Sequence, residues 1–486
     1  MNLPRALRTT PARVAIAALV AATLPACTLG PAYQRPSAPT PSVYKEAATG
    51  WLPAAPADTL DRGDWWMLFG DAELNRLMPQ VEVSNQNVAF AVAAYAQARA
   101  LVRQQRASLF PAVALDGGAS RSGGGTASAS GRGVSNSLSV SLGASWEPDV
   151  WGRLRLAVAS AQASVQASEA DLAAARLSAR AELATDYFAL READAEAALL
   201  RSTVDGYQRS LKITQNSYNA GIIAKTDLLQ AETTLANAQA DLIAVVGQRA
   251  QLEHAIAVLA GQPPGDFSVA VAPWTMRVPL VPPGVPSTLL QRRPDIASAE
   301  RSVAAANTQI GIQRAGYFPS FSLSGSYGFA NTRASDLFNA SRSLWSIGLS
   351  VAQTVFDAGA TRARVEGAEA GRDEAVAHYR QTVLAAFQSV EDQLSTSRVL
   401  SEQESFRRKA SEAADLTEQQ LLNRYRAGQV SYTDVVTAQA SALSARRTLV
   451  QLVSNRQASA IALIQDLGGG WHATDAASPA ASIPSH

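Results

Sequence analysis

Cysteine is almost missing from this chain of 486 residues: Cys27 stands alone, so no internal disulfide can form. Histidine is nearly as scarce. His254, His378, His472 and His486 are isolated, and no two of them stand at metal-ligand spacing. Neither a Walker-type phosphate loop nor a Gly-x-Ser-x-Gly elbow occurs, and the glycine run Gly123-Gly124-Gly125 lacks the strand-before, helix-after context of a phosphate site. The chain is therefore not read as an enzyme: no catalytic residue and no metal ligand is assigned, and no cofactor is expected. Charge of one sign is also lacking, with 42 basic and 41 acidic residues and a net charge of +1, which gives nucleic acid nothing to bind. Beyond the N-terminus no apolar stretch approaches the roughly 20 residues of a transmembrane helix, so any membrane crossing is expected to be made of strands.

What is present begins with an export signal. Arg5, Arg8 and Arg13 precede an apolar run from Val14 to Leu24, too short to span a bilayer but suited to a signal peptide over residues 1–26. The run ends at Leu24-Pro25-Ala26-Cys27, which resembles the lipobox of bacterial lipoproteins, whose signal is cut before a cysteine that receives lipid. A covalent lipid on Cys27 is expected; the competing reading is ordinary cleavage near Ala26 with an incidental thiol. Thr28 in place of an aspartate implies, by the same resemblance, sorting to the outer membrane. Residues 27–60 are rich in proline and read as an extended tether.

A second proline cluster, from Pro263 to Pro286, marks a linker over residues 263–287 between two halves, 61–262 and 288–470, with a polar tail at 471–486 read as disordered. The halves repeat. The segment from Tyr218 through Gly221 and Asp227 to Ala231 lies over Tyr425 through Gly428 and Asp434 to Ala438 at a shift of 207, with six of fourteen positions identical. Phe110-Pro111 and Phe318-Pro319 recur at 208, and Trp151 and Phe356 at 205. Three landmarks in one order and nearly one period indicate a tandem duplication.

Each half reads as helix, two strands and two long helices. Leu183, Leu190, Ala197, Val204, Leu211 and Tyr218 fall seven apart, with Ala193, Leu200 and Tyr207 three further on, which is a coiled-coil seam. Ala231, Ala238, Val245, Leu252 and Leu259 make a matching stripe, so the two helices form a hairpin turned at Ala220-Gly221. Between the helices Leu138, Val140, Leu142, Ala144 and Trp146 alternate with serines and Gly143; Trp345, Ile347, Leu349 and Val351 alternate with Ser346, Gly348 and Ser350. Their expected partners are residues 112–121 and the alternating set Phe321 to Phe329. An apolar face opposite a hydroxyl face suits a transmembrane barrel with a wet lumen; the bland alternative is surface hairpins packed on a soluble core. Four strands cannot close a pore. Two copies would give eight strands and a filled interior, and three would give twelve and a channel.

The motifs carry a family resemblance. Gly30-Pro31-Ala32-Tyr33-Gln34-Arg35-Pro36, Trp65-Trp66-Met67-Leu68-Phe69-Gly70-Asp71 and Leu289-Leu290-Gln291-Arg292-Arg293-Pro294-Asp295-Ile296 resemble signatures of the OprM/NodT branch of the TolC-type outer membrane factors, and the repeated Tyr-x-Ala-Gly turn resembles the periplasmic tip of that family. The similarity runs through the mature chain in order. It implies a mixed α+β membrane protein, predominantly long coiled-coil helices with four strands per chain that contribute to a trimeric twelve-stranded barrel. It further implies a homotrimer in outer-membrane lipid that works as the exit duct of a tripartite efflux pump, docked to a periplasmic adaptor and an inner-membrane RND-type transporter. The rival class is a periplasmic lipid-anchored coiled-coil adaptor, which would carry one hairpin instead of two.

Asp227 and Asp434 each follow the tip glycine by six residues, where a carboxylate caps a helix. By the resemblance, Asp434 corresponds to an aspartate ring narrowing the periplasmic entrance; both readings stand. The family's second ring carboxylate falls at Thr437, and an arginine linking hairpins falls at Val430. Tyr425 is placed to reach Asp227 by a hydrogen bond. Gly221 and Gly428 serve the turn, and Ala220, Ile222, Ala427 and Gln429 join them as adaptor-contact candidates. Arg293, Pro294 and Asp295 start a helix.

Overall fold

The computed structural model describes residues 29–46, 64–123, 134–281, 292–339, 341 and 343–470; Cys27, the signal segment and the C-terminal tail lie outside the described residues. Seven α-helices and four strands are described: α1 (Ala72–Ser84), α2 (Gln86–Ala107), β1 (Ala112–Gly123), β2 (Val134–Trp146), α3 (Arg153–Asn219), α4 (Lys225–Leu259), α5 (Pro294–Arg314), β3 (Ser320–Asn331), β4 (Ser343–Ala352), α6 (Ala360–Arg426) and α7 (Tyr432–Asp466). The two long outgoing helices, α3 and α6, are each 67 residues, about 100 Å at 1.5 Å per residue. The returning helices α4 and α7 are each 35.

The chain divides into two compact units, each drawn from both halves of the sequence. One contains residues 1–37, 96–167 and 299–379, and so holds the whole sheet; the other contains 38–95, 168–298 and 380–486, and holds both hairpin turns.

In the first unit the sheet runs β1-β2-β3-β4, every pair antiparallel. The N-terminal segment is strapped to α5. Asn307 donates to the carbonyl of Pro31 at 2.9 Å, and the Tyr33 hydroxyl donates to Glu300. The segment touches α5 at Gly311, where a Cβ would stand 2.7 Å from the Gly30 Cα and from Leu156. Only glycine lets the two backbones meet.

In the second unit most of the heptad positions are buried as their spacing predicts, Leu183, Leu190 and Leu200 completely, while Leu211, Tyr218 and Leu252 are half-buried. Alanine supplies much of the seam (Ala193, Ala197, Ala231, Ala238), which brings helix backbones close. The seam thins along α6, where Ser411 is the one buried residue beyond Leu394. One expectation needs correction. By length and composition α4 is apolar enough to cross a membrane, because its alanines, leucines and valines raise its average although no unbroken apolar run exists. Glu232, Asp241, Arg249 and Glu253 interrupt it, and Leu228, Ala231, Ala238 and Val245 pack inside the protein.

A buried ionic network ties this unit together. Asp71 caps α1, accepting from the amides of Glu73 and Leu74 at 3.0 Å each, and accepts the Tyr187 hydroxyl at 2.6 Å. Arg191, 1% exposed, donates to that same hydroxyl at 3.0 Å, to Asp194 at 3.0 Å and to the carbonyl of Ala270 at 2.8 Å. Arg249 completes it, reaching Asp194 at 2.7 Å and Glu253 at 3.1 Å. Removing one member leaves the others charged and dry, so Arg191→Leu is expected to lower unfolding stability by about 3–5 kcal/mol in a denaturant titration.

Asp186 behaves oppositely. Burial, then the nearby charge of Glu182, pushes its carboxyl up to about 6. The folded chain thus holds a proton that the unfolded chain has released between about pH 4 and 6, and stability falls as pH rises through that window. Asp186→Asn is expected to raise the melting temperature at pH 8 and to leave it unimproved at pH 4.

Candidate functional site

The sheet's register fixes what each face carries. Pairs that stand opposite one another share a face. Leu115 stands against Leu142 and that against Tyr327, which faces Trp345; Leu323 lies between Trp146 and Leu349; Val351 faces Phe321. All lie on one side. The other side runs Ser139, Ser141 and Ser145 across to Ser324 and Ser326, then to Ser346 and Ser350. Hydroxyls bond across it, Ser122 with Ser135 and Ser326 with Ser346, both at 2.9 Å. Asp116 is the single acid on this face.

A sheet on a soluble core would bury one face, and here neither is covered. Trp345 is 74% exposed, Ile347 73% and Leu349 67%, while most of the serine face is open as well. The surface-hairpin alternative fails on this point. The edge strands β1 and β4 pair on one side only.

The hairpin tips belong to the other unit. After α3 the chain closes with Gly221 at φ +71°, its amide donating to the carbonyl of Tyr218 at 2.8 Å and the Ile222 amide to that of Ser217 at 2.9 Å. After α6 the same turn recurs: Gly428 at φ +70°, its amide to Tyr425 and the Gln429 amide to Arg424, both 2.9 Å. Both are glycine-capped helix ends of the type in which a left-handed residue satisfies orphan carbonyls. Ala220, Gly221, Ile222, Ala427, Gly428 and Gln429 are all exposed at these tips.

The two returning helices start differently. Ser431 caps α7: its hydroxyl accepts from the Asp434 amide and donates to the Asp434 carboxylate at 2.7 Å, while the Ser431 amide donates to that carboxylate at 3.0 Å. Asp434 is thus held in a capping box and is exposed. The N-cap of α4 is Ala224, which has no side chain to cap the helix or to bond Asp227 as Ser431 bonds Asp434. Thr437 is exposed and donates to the Thr433 carbonyl at 2.9 Å, and Val430 is half-buried.

The expected hydrogen bond from Tyr425 to Asp227 is not made. The Tyr425 hydroxyl is buried with no hydrogen-bond partner, packed against Tyr432 with ring centroids 5.2 Å apart. Burial pushes this phenol up, the charge of Asp227 adds to the rise, and the nearby Thr214 hydroxyl works against it. The contacts that join the two hairpins here escaped the sequence reading. Ala231 packs with Tyr432 and Val435, the Tyr432 and Ser210 hydroxyls meet at 3.4 Å, and Thr433 reaches Gln230 at 3.4 Å. The Ser431-x-x-Asp434 spacing was a legible signal for the cap; the cross-hairpin pairs left none.

A sheet with a wet face and an apolar face, carried with two twinned helical hairpins, has close counterparts among known proteins. The family described as outer membrane efflux protein matches residues 77–262 and 285–469. The cation efflux system protein CusC of Escherichia coli is 30% identical over 454 residues, covering 93% of this chain and 97% of its own. The outer membrane protein OprJ of Pseudomonas aeruginosa is 31% identical over 460, covering 94% and 95%. Among solved structures, the outer-membrane channel OprN superposes with a TM-score of 0.82 at 32% identity, covering 92% of this chain and all of that one. Likeness along nearly the full length, in sequence and in backbone, places this chain in the outer membrane efflux protein family.

Proposed function

We propose that three copies of this chain close into an outer-membrane exit duct of a tripartite efflux pump. Their sheets join edge to edge in a twelve-stranded barrel, and their helical hairpins continue it as a tunnel into the periplasm. The observation that carries this is the sheet: apolar on one face, hydroxyl-lined on the other, covered on neither, with both edges open. In lipid an unpaired edge leaves several kcal/mol per backbone group unmet, so the edges must pair with other copies. Eight residue steps separate Phe321 from Phe329 on the apolar face, roughly 27 Å along a strand. At a tilt of about 40° that spans about 21 Å, close to the apolar band of an outer-membrane barrel.

The helices support the same assembly. Phe406 and Leu416 on α6 and Ile243 and Val246 on α4 are exposed apolar residues on helices interrupted by charge, a pattern suited to neighbouring helices and not to lipid. Equal lengths of α3 and α6, and of α4 and α7, together with the two stretches matched to one family, support descent by tandem duplication of the halves 61–262 and 288–470. The exposed tip residues from Ala220 to Ile222 and from Ala427 to Gln429 are the surface offered to a periplasmic adaptor, behind which stands an RND-type transporter.

Cys27 is the proposed lipid anchor. Gly30, pinned against Gly311 six residues before Tyr317 at the foot of the sheet, leaves three residues to reach it, at most about 10 Å of chain. Cys27→Ser is expected to abolish acyl mass on the intact protein by mass spectrometry while the oligomer still forms in detergent. A soluble monomer without detergent would overturn the duct reading.

Asp434 is proposed as a gate carboxylate in addition to its cap. Three such charges around one axis repel unless the mouth opens or a cation sits between them. Asp434→Ala is expected to raise single-channel conductance in planar bilayers and weaken cation selectivity. Ser431→Ala removes the cap, at about 0.5–2 kcal/mol, and keeps the charge, so selectivity should persist. Unchanged conductance and selectivity in Asp434→Ala would leave it as a cap alone.

A further inference from the structure

Arginines stand at both ends of the sheet. At the foot, where strands meet helices, four of them have an acid: Arg153 with Glu147 at 2.7 Å, Arg155 with Asp149 at 3.1 Å, Arg314 with Glu369 at 2.7 Å and Arg362 with Glu366 at 2.7 Å. At the far end Arg121 and Arg333 are exposed and, among the described residues, have neither an acid nor a hydrogen-bond acceptor at the guanidinium. Segments 120–137 and 330–343 contain four arginines and one acid, Asp336.

Register gives the direction of Arg121. It pairs with Asn136, two residues beyond the Ala119–Leu138 pair, so it stands on the apolar face at the first polar row past the apolar band. Leu138 also pairs with Asn331, the last residue of β3, and Arg333 follows two residues later in the turn beyond it. Two strand spacings separate β1 from β3, about 10 Å. Beneath this row lie Tyr327, Phe329, Phe338 and Trp345, with Phe329 5.7 Å from Tyr327 and 5.8 Å from Phe338. An apolar shelf capped by two unneutralised guanidinium forks matches one kind of molecule, a lipid whose phosphates sit just above its acyl chains.

We propose that Arg121 and Arg333 bind the phosphates of a phosphorylated glycolipid in the outer leaflet. This rests on reading the sheet as part of a barrel, which puts the end opposite the helices outside. The fork geometry favours bidentate contact, and the neighbouring lipid lowers the local dielectric and strengthens it. The lipid is then held as a ring around the barrel mouth, one site per copy.

The test uses the full-length oligomer in detergent, delipidated and mixed with diphosphoryl lipid A or with the same lipid dephosphorylated, and reads bound lipid by native mass spectrometry. Wild type is expected to retain the diphosphoryl form at least about tenfold better than the dephosphorylated one. Arg121→Gln with Arg333→Gln should erase that difference, and Arg362→Gln, at the foot, should keep it. Equal retention of both lipids by wild type, or an undiminished preference in the double variant, overturns the proposal. Flotation with phosphatidylethanolamine vesicles separates the two levels: an oligomer that never inserts fails the barrel reading itself, and one that inserts yet ignores phosphate fails only the glycolipid site.

Discussion

Everything in this chain follows from backbone groups that it leaves unpaired at the edges of its sheet. Water can satisfy a strand edge, but hydrocarbon cannot, so a four-stranded sheet with an apolar face is viable only when other strands complete it. The same incompleteness continues in the helices. Ser411 alone is buried on α6 beyond Leu394, and Phe406 and Leu416 face outward. Sheet and helices therefore ask for the same thing, a neighbour on either side.

Within each unit, buried contacts fix the packing. Arg191 gathers Tyr187, Asp194 and the Ala270 carbonyl around a fully enclosed guanidinium, while Asp71 draws α1 onto the same tyrosine. Gly311 lets the N-terminal segment lie directly on α5. At the tips the connections are lighter: one weak hydroxyl contact from Ser210 to Tyr432, one from Thr433 to Gln230, and a Tyr425 hydroxyl with nothing to bond. The tips thus carry fewer polar ties than the buried network, the pattern of a segment that opens locally at lower cost.

The sequence made the strands and hairpins legible because both obey a short period. Serine or glycine at every second position from Ser135 to Ser145 announces a two-faced strand, and leucine and alanine at heptad spacing announce a seam. Gly221 and Gly428 mark turns that only a left-handed residue can make. The buried network was illegible for the complementary reason. Asp71 and Tyr187 lie 116 positions apart and belong to no repeat, so nothing local joins them. The expected bond from Tyr425 to Asp227 failed because Tyr425 packs against Tyr432 with its hydroxyl buried and unbonded. The place of Arg121 needed the register, which fixes it on the apolar face.

The hydroxyl face has one more implication. Ser122 and Ser135, like Ser326 and Ser346, hold each other, and such lateral pairs satisfy part of the wall's own demand for hydrogen bonds. Where two hydroxyls hold each other, fewer donors are left free for a molecule that touches this face.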